Sequence, residues 1–275
     1  MRKISLIFLT ALIGTLILGG CSDTNKNDVV LKSQDVENTD NSWEMVKEHG
    51  VLRVGIEPSG LPHVEKDSHG SYKGFLIDIM DEIGKRAEID IEYVETGENT
   101  VSTMLADSTI DVVLNGYTQA DNGNKNIKWL DPYMTNHHII ICSSYSDINA
   151  KEDLADKKTG VTTDTVSDIS AQSDIKIDNE MLVKFDTERK ALNALANRQI
   201  DALIIEDTQY YYQEKYHYHN YRILDEIVST HVHSLGVNKE KIQLAEKLTT
   251  VMNEIKSDKT LEKISTKWFN VNLTN

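Results

Sequence analysis

Apolar residues along the chain follow two rhythms that take turns. Val51, Leu52, Val54 and Ile56 make a short strand pattern that ends at Glu57-Pro58-Ser59-Gly60. Phe75, Leu76, Ile79, Met80 and Ile83 then fall on one helical face, with Asp78, Asp81 and Glu82 outside it as a solvated face. Ile89, Ile91 and Tyr93 alternate as a second strand, and a helix through Val101, Met104 and Leu105 leads into the run Val112-Val113-Leu114. Strand, helix, strand, helix, strand is the order of a parallel sheet covered by helices. A second copy follows, with strands expected at 139–142, 159–162, 181–185 and 202–205. Helices are expected between them at 151–154 and 165–172, around Arg189, Leu192, Leu195 and Ala196, and around Tyr210, Tyr211 and Tyr212 as the rim of the second copy. Strand-like runs at 221–224 and 227–237 precede two closing helices, 240–255 and 260–268. Near the start, Ser42 is placed to cap a short helix from Trp43 that stops at Gly50. With nothing linker-like between the copies, two lobes that share a cleft are expected.

The stretch 111–134 is central to this pattern. Its apolar run breaks into a polar loop at Asn115-Gly116 and resumes at Ile127, Trp129 and Leu130 ahead of Asp131-Pro132-Tyr133. A buried strand that ends in a loop of glycine, threonine and amides is how α/β folds offer backbone groups to a small ligand.

The N-terminus answers a separate question. Met1-Arg2-Lys3 is a charged start, 4–18 is apolar, and Leu18-Gly19-Gly20-Cys21 follows, which reads as a secretory signal. That ending resembles a bacterial lipoprotein signal, which implies a signal peptide over 1–21, a lipidated Cys21 and attachment to the extracytoplasmic face of the cell membrane. Residues 22–42 are polar, without apolar period, and read as a disordered tether. The second cysteine, Cys142, lies in an apolar run and reads as a buried small hydrophobe, so no disulfide framework is expected.

Charge narrows the partners. The formal net charge is −15, from 29 basic and 44 acidic residues. Loss of Arg2 and Lys3 with the signal makes it −17. Such a surface repels nucleic acid and anionic lipid, so the membrane contact would come from acyl chains.

A series of short strings runs through 50–269: Leu52-Arg53-Val54-Gly55-Ile56 with Pro62, Gly74-Phe75 with Asp78, and Ile110-Asp111-Val112-Val113 with Gly116 and Thr118. It continues in Asp131-Pro132-Tyr133, Asp153-Leu154, Ile200-Asp201-Ala202-Leu203-Ile204 and Lys267-Trp268-Phe269. In this order and over this length the sequence resembles the family 3 solute-binding proteins that serve amino-acid ABC importers. The resemblance implies an α/β, two-lobed, periplasmic-binding-protein-like (type II) fold with two crossing strands, here near 133–138 and 229–235. Lobe one would comprise 43–136 plus 231–275, and lobe two 137–230. It also implies a ligand site made of the strand-end acid Glu57, the turn Gly116-Tyr117-Thr118, the lobe-two residues Asp164 and Thr165, and the lobe-two carboxylate Glu206. In Asp164 the chain departs from the glycine usual there. It departs again at Gly123, where the carboxylate-binding arginine would fall, and at Gly60 or Leu61, where an aromatic usually covers the ligand. A site richer in acceptors than in donors favours a cationic or uncharged polar solute.

The implied function is a lipid-anchored, monomeric binding protein that captures an amino acid or related polar solute and delivers it to an ABC transporter permease. No catalysis and no cofactor are implied. An enzyme on the same scaffold, similar to cyclohexadienyl dehydratases, with Glu57, Glu206 or a histidine as general acid, is the second reading, and a ligand-sensing subunit is the third. His137-His138 and His231-x-His233 fall on the proposed crossing strands, where residues two apart share a face. Hydrogen-bonded or solvated histidines are the reading taken, and no metal is assigned. His217-Tyr218-His219 reads as a surface loop.

Overall fold

The computed structural model describes residues 40–97, 100–114, 125–216 and 220–275. The first sheet has Val51–Ile56 between Asp90–Glu95 and Val112–Leu114, all three parallel. Leu235–Asn238 then runs antiparallel beside Val112–Leu114, and Ile127–Trp129 closes that edge. Side-chain alternation divides the residues between two cores. Leu52, Val54, Val112 and Leu114 join the larger core under the helices Phe75–Ala87, Ile242–Ser257 and Thr260–Phe269. Val113 points the other way, into a smaller core with Val101, Leu105 and Ile110.

The second sheet has the order 221–233, 134–143, 202–206, 159–162, 182–185. Ile140, Cys142, Ala202 and Ile204 pack on one face, and Ile139, Ile141, Leu203 and Ile205 on the other. Cys142 is fully buried, as expected for a small hydrophobe. Met134–Ser143 and Tyr221–His233 pair antiparallel from Met134 opposite His233 to Tyr221 opposite Ser143. These two long strands carry the chain between the sheets, so the fold is a two-lobed type II architecture. Both lobes belong to one compact unit, Asp40–Asn275. Among the described residues no helix is long and apolar enough to cross a membrane.

Several local expectations need correction. The strand expected at 139–142 begins earlier, at Met134, because antiparallel pairing with Tyr221–His233 holds its polar half, Thr135 to His138, extended. The two runs at 221–224 and 227–237 form one strand up to His233, irregular between Ile223 and Ser229, followed by Leu235–Asn238. A hairpin of Glu65–Lys66 with Tyr72–Lys73 is too short to leave a period in the sequence. Ser42 is the first residue of its helix rather than the cap. Its hydroxyl instead accepts the Leu244 N–H at 3.1 Å, while Asp40 accepts that of Gln243 at 2.5 Å, so this segment caps the distant helix Ile242–Ser257. The acids of Phe75–Ala87 are paired rather than simply solvated. Asp78 accepts from Lys267 Nζ and Trp268 Nε1, both at 2.6 Å, Asp81 accepts from Tyr93, and Glu82 accepts from Arg86. Tyr211 and Tyr212 pack against the lobe-one core, and only Tyr210 joins lobe two, so their helix spans the junction of the lobes. His217-Tyr218-His219 lies outside the described residues.

The loop that follows Val51–Ile56 is fastened tightly to lobe one. Gly60 and Val64 exchange backbone hydrogen bonds at 2.8 and 3.0 Å, Phe75 N–H donates to the Pro62 carbonyl at 2.8 Å, and Leu76 N–H donates to the His63 carbonyl at 3.3 Å. Gly74 makes this possible. It has a φ of +150°, and a Cβ there would stand 1.9 Å from the His63 carbonyl oxygen. Gly74→Ala is therefore expected to lower stability by roughly 2 to 4 kcal/mol, from strain and displaced backbone. Urea denaturation of the two proteins checks it, and equal midpoints would show that the loop gives way at little cost.

Candidate functional site

Three strands of the second sheet present residues at their carboxyl ends, the edge at which open α/β sheets bind ligands. Asp164 and Thr165 follow Thr159–Thr162, Glu188 follows Leu182–Phe185, and Glu206 ends Ala202–Glu206. In lobe one, Glu57 follows Val51–Ile56 and lies exposed. Gly116, Tyr117, Thr118 and Gly123 lie outside the described residues, as does Cys21.

Asp164 takes a left-handed conformation, φ 60°, which gives a reason for glycine in such a position and shows how an aspartate serves instead. Its N–H donates to Asp168 Oδ2 at 3.3 Å. The Thr165 hydroxyl donates to the Thr162 carbonyl at 2.7 Å, and Ser167 Oγ is 2.7 Å from it. Asp168, buried, ties this turn to Lys184 and Gln172. The turn is thus held by its own hydrogen bonds, and Thr165 retains acceptor capacity.

A second cluster centres on Glu206, and it joins the lobes. His63, from the fastened lobe-one loop, brings its Nε2 to 3.4 Å from Glu206 Oε2. The Thr208 hydroxyl lies 3.2 Å from both Glu206 Oε2 and His63 Nε2. Since its single hydrogen serves the carboxylate, the imidazole Nε2–H donates to Thr208. One residue further on, Gln209 Nε2 donates to the Leu61 carbonyl at 3.1 Å. His138 Nε2 approaches Glu206 Oε1 from the crossing strand at 3.8 Å. Behind them, His233 stacks on His63 with ring centroids 6.5 Å apart, and Tyr133 tilts against His233. Both His233 ring nitrogens and the Tyr133 hydroxyl are buried without a hydrogen-bond partner.

The histidine pairs expected on the crossing strands therefore play different parts. His138 and His231 flank the Ser229 hydroxyl at 3.1 and 3.2 Å, and His137 meets Thr230 at 2.9 Å on the exposed side. Among the described residues no three His, Cys, Asp or Glu side chains are arranged to hold a metal ion.

Burial by itself would make the Glu206 carboxylate harder to ionise. His63, 3.4 Å away, and the neighbouring imidazoles outweigh it and hold the group well below the ordinary carboxylate range. Burial also pushes His138 down and His233 down to about 4, further than Glu206 pulls them up, so both are neutral near pH 7. Burial, with the Glu206 charge added, raises Glu188 to about 8. Burial raises Asp207 to about 6 against the hydrogen bonds it receives from backbone N–H groups. The cluster thus concentrates negative charge on Glu206, with a protonated Glu188 in its field. A partly exposed carboxylate of this kind has the charge and geometry to meet an ammonium or guanidinium group.

Sequence reasoning missed His63, Thr208 and Gln209. His63 is a lone histidine in a loop, and its partner Thr208 is 145 residues away. The one available signal was its place in the loop that follows the first strand.

Comparison with known proteins identifies the family and the fold. Residues 52–271 match the family model for bacterial extracellular solute-binding proteins, family 3. The chain is 30% identical over 251 residues to the glutamine-binding protein of Geobacillus stearothermophilus, covering 88% of this chain and 94% of that one. The substrate-binding protein of a polar amino acid ABC uptake transporter from Streptococcus thermophilus superposes with a TM-score of 0.71 at 24% identity, over 85% of this chain and 91% of that one. The ancestral cationic amino acid solute-binding protein AncCDT-1 superposes with a TM-score of 0.74 at 25% identity, over 82% of this chain and 98% of that one. AncCDT-1 is also described as a precursor of cyclohexadienyl dehydratase.

Proposed function

Because the chain belongs to the bacterial extracellular solute-binding proteins of family 3, we propose that it is the amino-acid-binding subunit of an ABC importer. Its solute is held between the lobes by a cationic group on Glu206. The observation that carries this reading is Glu206 itself: an ionised carboxylate at the carboxyl end of a lobe-two strand, directed at lobe one. Asp164 and Thr165 line the same sheet edge, and Glu57 with Gly116, Tyr117 and Thr118 completes the site from lobe one. At Gly123 the chain lacks an arginine clamp for a carboxylate, and Lys125 or Lys128 lacks the planar fork to replace it. The preferred solute is therefore one that brings positive charge without needing a strong anion partner. Closure of the lobes, divided as 43–136 plus 231–275 and 137–230, is the signal that the permease reads. Cys21 carries the lipid that holds the monomer at the membrane, over a tether of 22–42.

Thermal-shift screening of residues 22–275 against amino acids, amines and quaternary ammonium compounds tests the reading. A ligand present at a hundred times its dissociation constant stabilises by about 2.7 kcal/mol, which raises the midpoint by roughly 5 °C or more. A flat response to the whole panel would contradict it. The contact between Glu206 and imidazole would also serve an acid–base step, and the likeness to AncCDT-1 gives that second reading a basis. Recovery of the solute unchanged after incubation separates binding from turnover.

A further inference from the structure

We propose that His63 is a built-in surrogate for the solute's cationic group: with the lobes in contact it stands at the Glu206 carboxylate, and it must yield that place when a solute binds. This rests on the reading of Glu206 as the cation site. Three contacts carry it, and each joins lobe one to the end of the lobe-two strand Ala202–Glu206 or to the first turn of the helix Asp207–Tyr216 that follows it. They are His63 Nε2 to Glu206 Oε2 at 3.4 Å, His63 Nε2 to Thr208 Oγ1 at 3.2 Å, and the Gln209 amide to the Leu61 carbonyl at 3.1 Å. The side chain is aimed, because the loop that bears it is anchored through the Pro62 and His63 carbonyls to the start of Phe75–Ala87, with Gly74 allowing the close approach. It is also backed, because His233 stacks behind its ring.

An imidazole that already stands at the carboxylate, and donates to the Thr208 hydroxyl that in turn serves it, has two consequences. Closure needs no solute, since the latch supplies the interlobe contact that a bound ammonium would otherwise supply. A solute also gains only the difference between its own bond to Glu206 and the one it replaces. The latch thus makes His63 an affinity-setting residue for every solute that uses Glu206, whatever its side chain.

The test uses the full-length protein in detergent, as wild type, His63→Ala and His63→Gln. Small-angle scattering without solute reads closure, and calorimetry with L-arginine, L-glutamine and L-histidine reads affinity. Loss of the latch is expected to give a larger radius of gyration for His63→Ala and affinities roughly tenfold higher, by a similar factor for all three solutes. His63→Gln keeps a donor and is expected to fall between. Unchanged scattering of a folded His63→Ala protein would overturn the latch, as would weaker or unequal solute binding, which would make His63 a direct solute contact. If none of the three solutes binds any variant, the solute class is wrong, while scattering still decides the latch.

Discussion

Asp111→Ala is expected to remove about 3 kcal/mol of folding free energy, the low end of the cost of breaking a buried ion pair. The Asp111 carboxylate, with its side chain 3% exposed, accepts from Arg53 Nε at 2.9 Å, Arg53 Nη2 at 2.8 Å, the Arg53 backbone N–H at 3.1 Å and Lys241 Nζ at 3.1 Å. Truncation leaves two cations without their shared counter-charge. Arg53 keeps 32% of its side-chain surface and Lys241 19%, so water recovers part of the loss, and the estimate stays at the lower end. Burial raises the Asp111 pKa, but Arg53 and Lys241 together bring it below the ordinary value. For an acid depressed on folding, the stabilisation is present above its unfolded pKa of about 3.9 and is lost as pH falls below that. Wild type should therefore lose stability on acidification through this window, and Asp111→Ala should lack that part of the slope. Urea denaturation at pH 7 and at pH 3 measures both. Equal midpoints at pH 7 would mean that the network contributes nothing.

Asp111 also shows what the sequence could reveal. The strings Leu52-Arg53-Val54 and Ile110-Asp111-Val112 carry much of the family resemblance, yet their polar members serve the fold rather than a ligand. Lobe two repeats the backbone part of the device, with Asp201 accepting the Lys158 backbone N–H at 2.8 Å as Asp111 accepts that of Arg53. Strands with one apolar core on each face, such as Val112–Leu114 and Ala202–Glu206, were legible because nearly every residue is buried. The crossing strands were legible only in part. Tyr221–His233 mixes half-buried and exposed positions and bulges between Ile223 and Ser229, so it has no clean period of two. In the cleft, Glu206 could be read as an acid closing a buried strand. What faces it could not, because His63 and Thr208 meet only through tertiary packing between distant segments.

The second large effect is on binding, and it bears on the account as a whole. Glu206→Gln preserves shape and removes the charge that a cationic group would meet. A charge-assisted hydrogen bond contributes roughly 1.5 to 3 kcal/mol, which corresponds to about ten- to more than a hundredfold in affinity. The lower part of that range is expected here, because the gain is net of the His63 contact that the solute displaces from Glu206. Isothermal titration calorimetry of wild type and Glu206→Gln, with any amino acid that wild type binds, is the most direct measurement. At least about tenfold weaker binding by a folded Glu206→Gln protein is the result predicted. Dissociation constants that agree within a factor of two would contradict the assignment of Glu206 as the cation site.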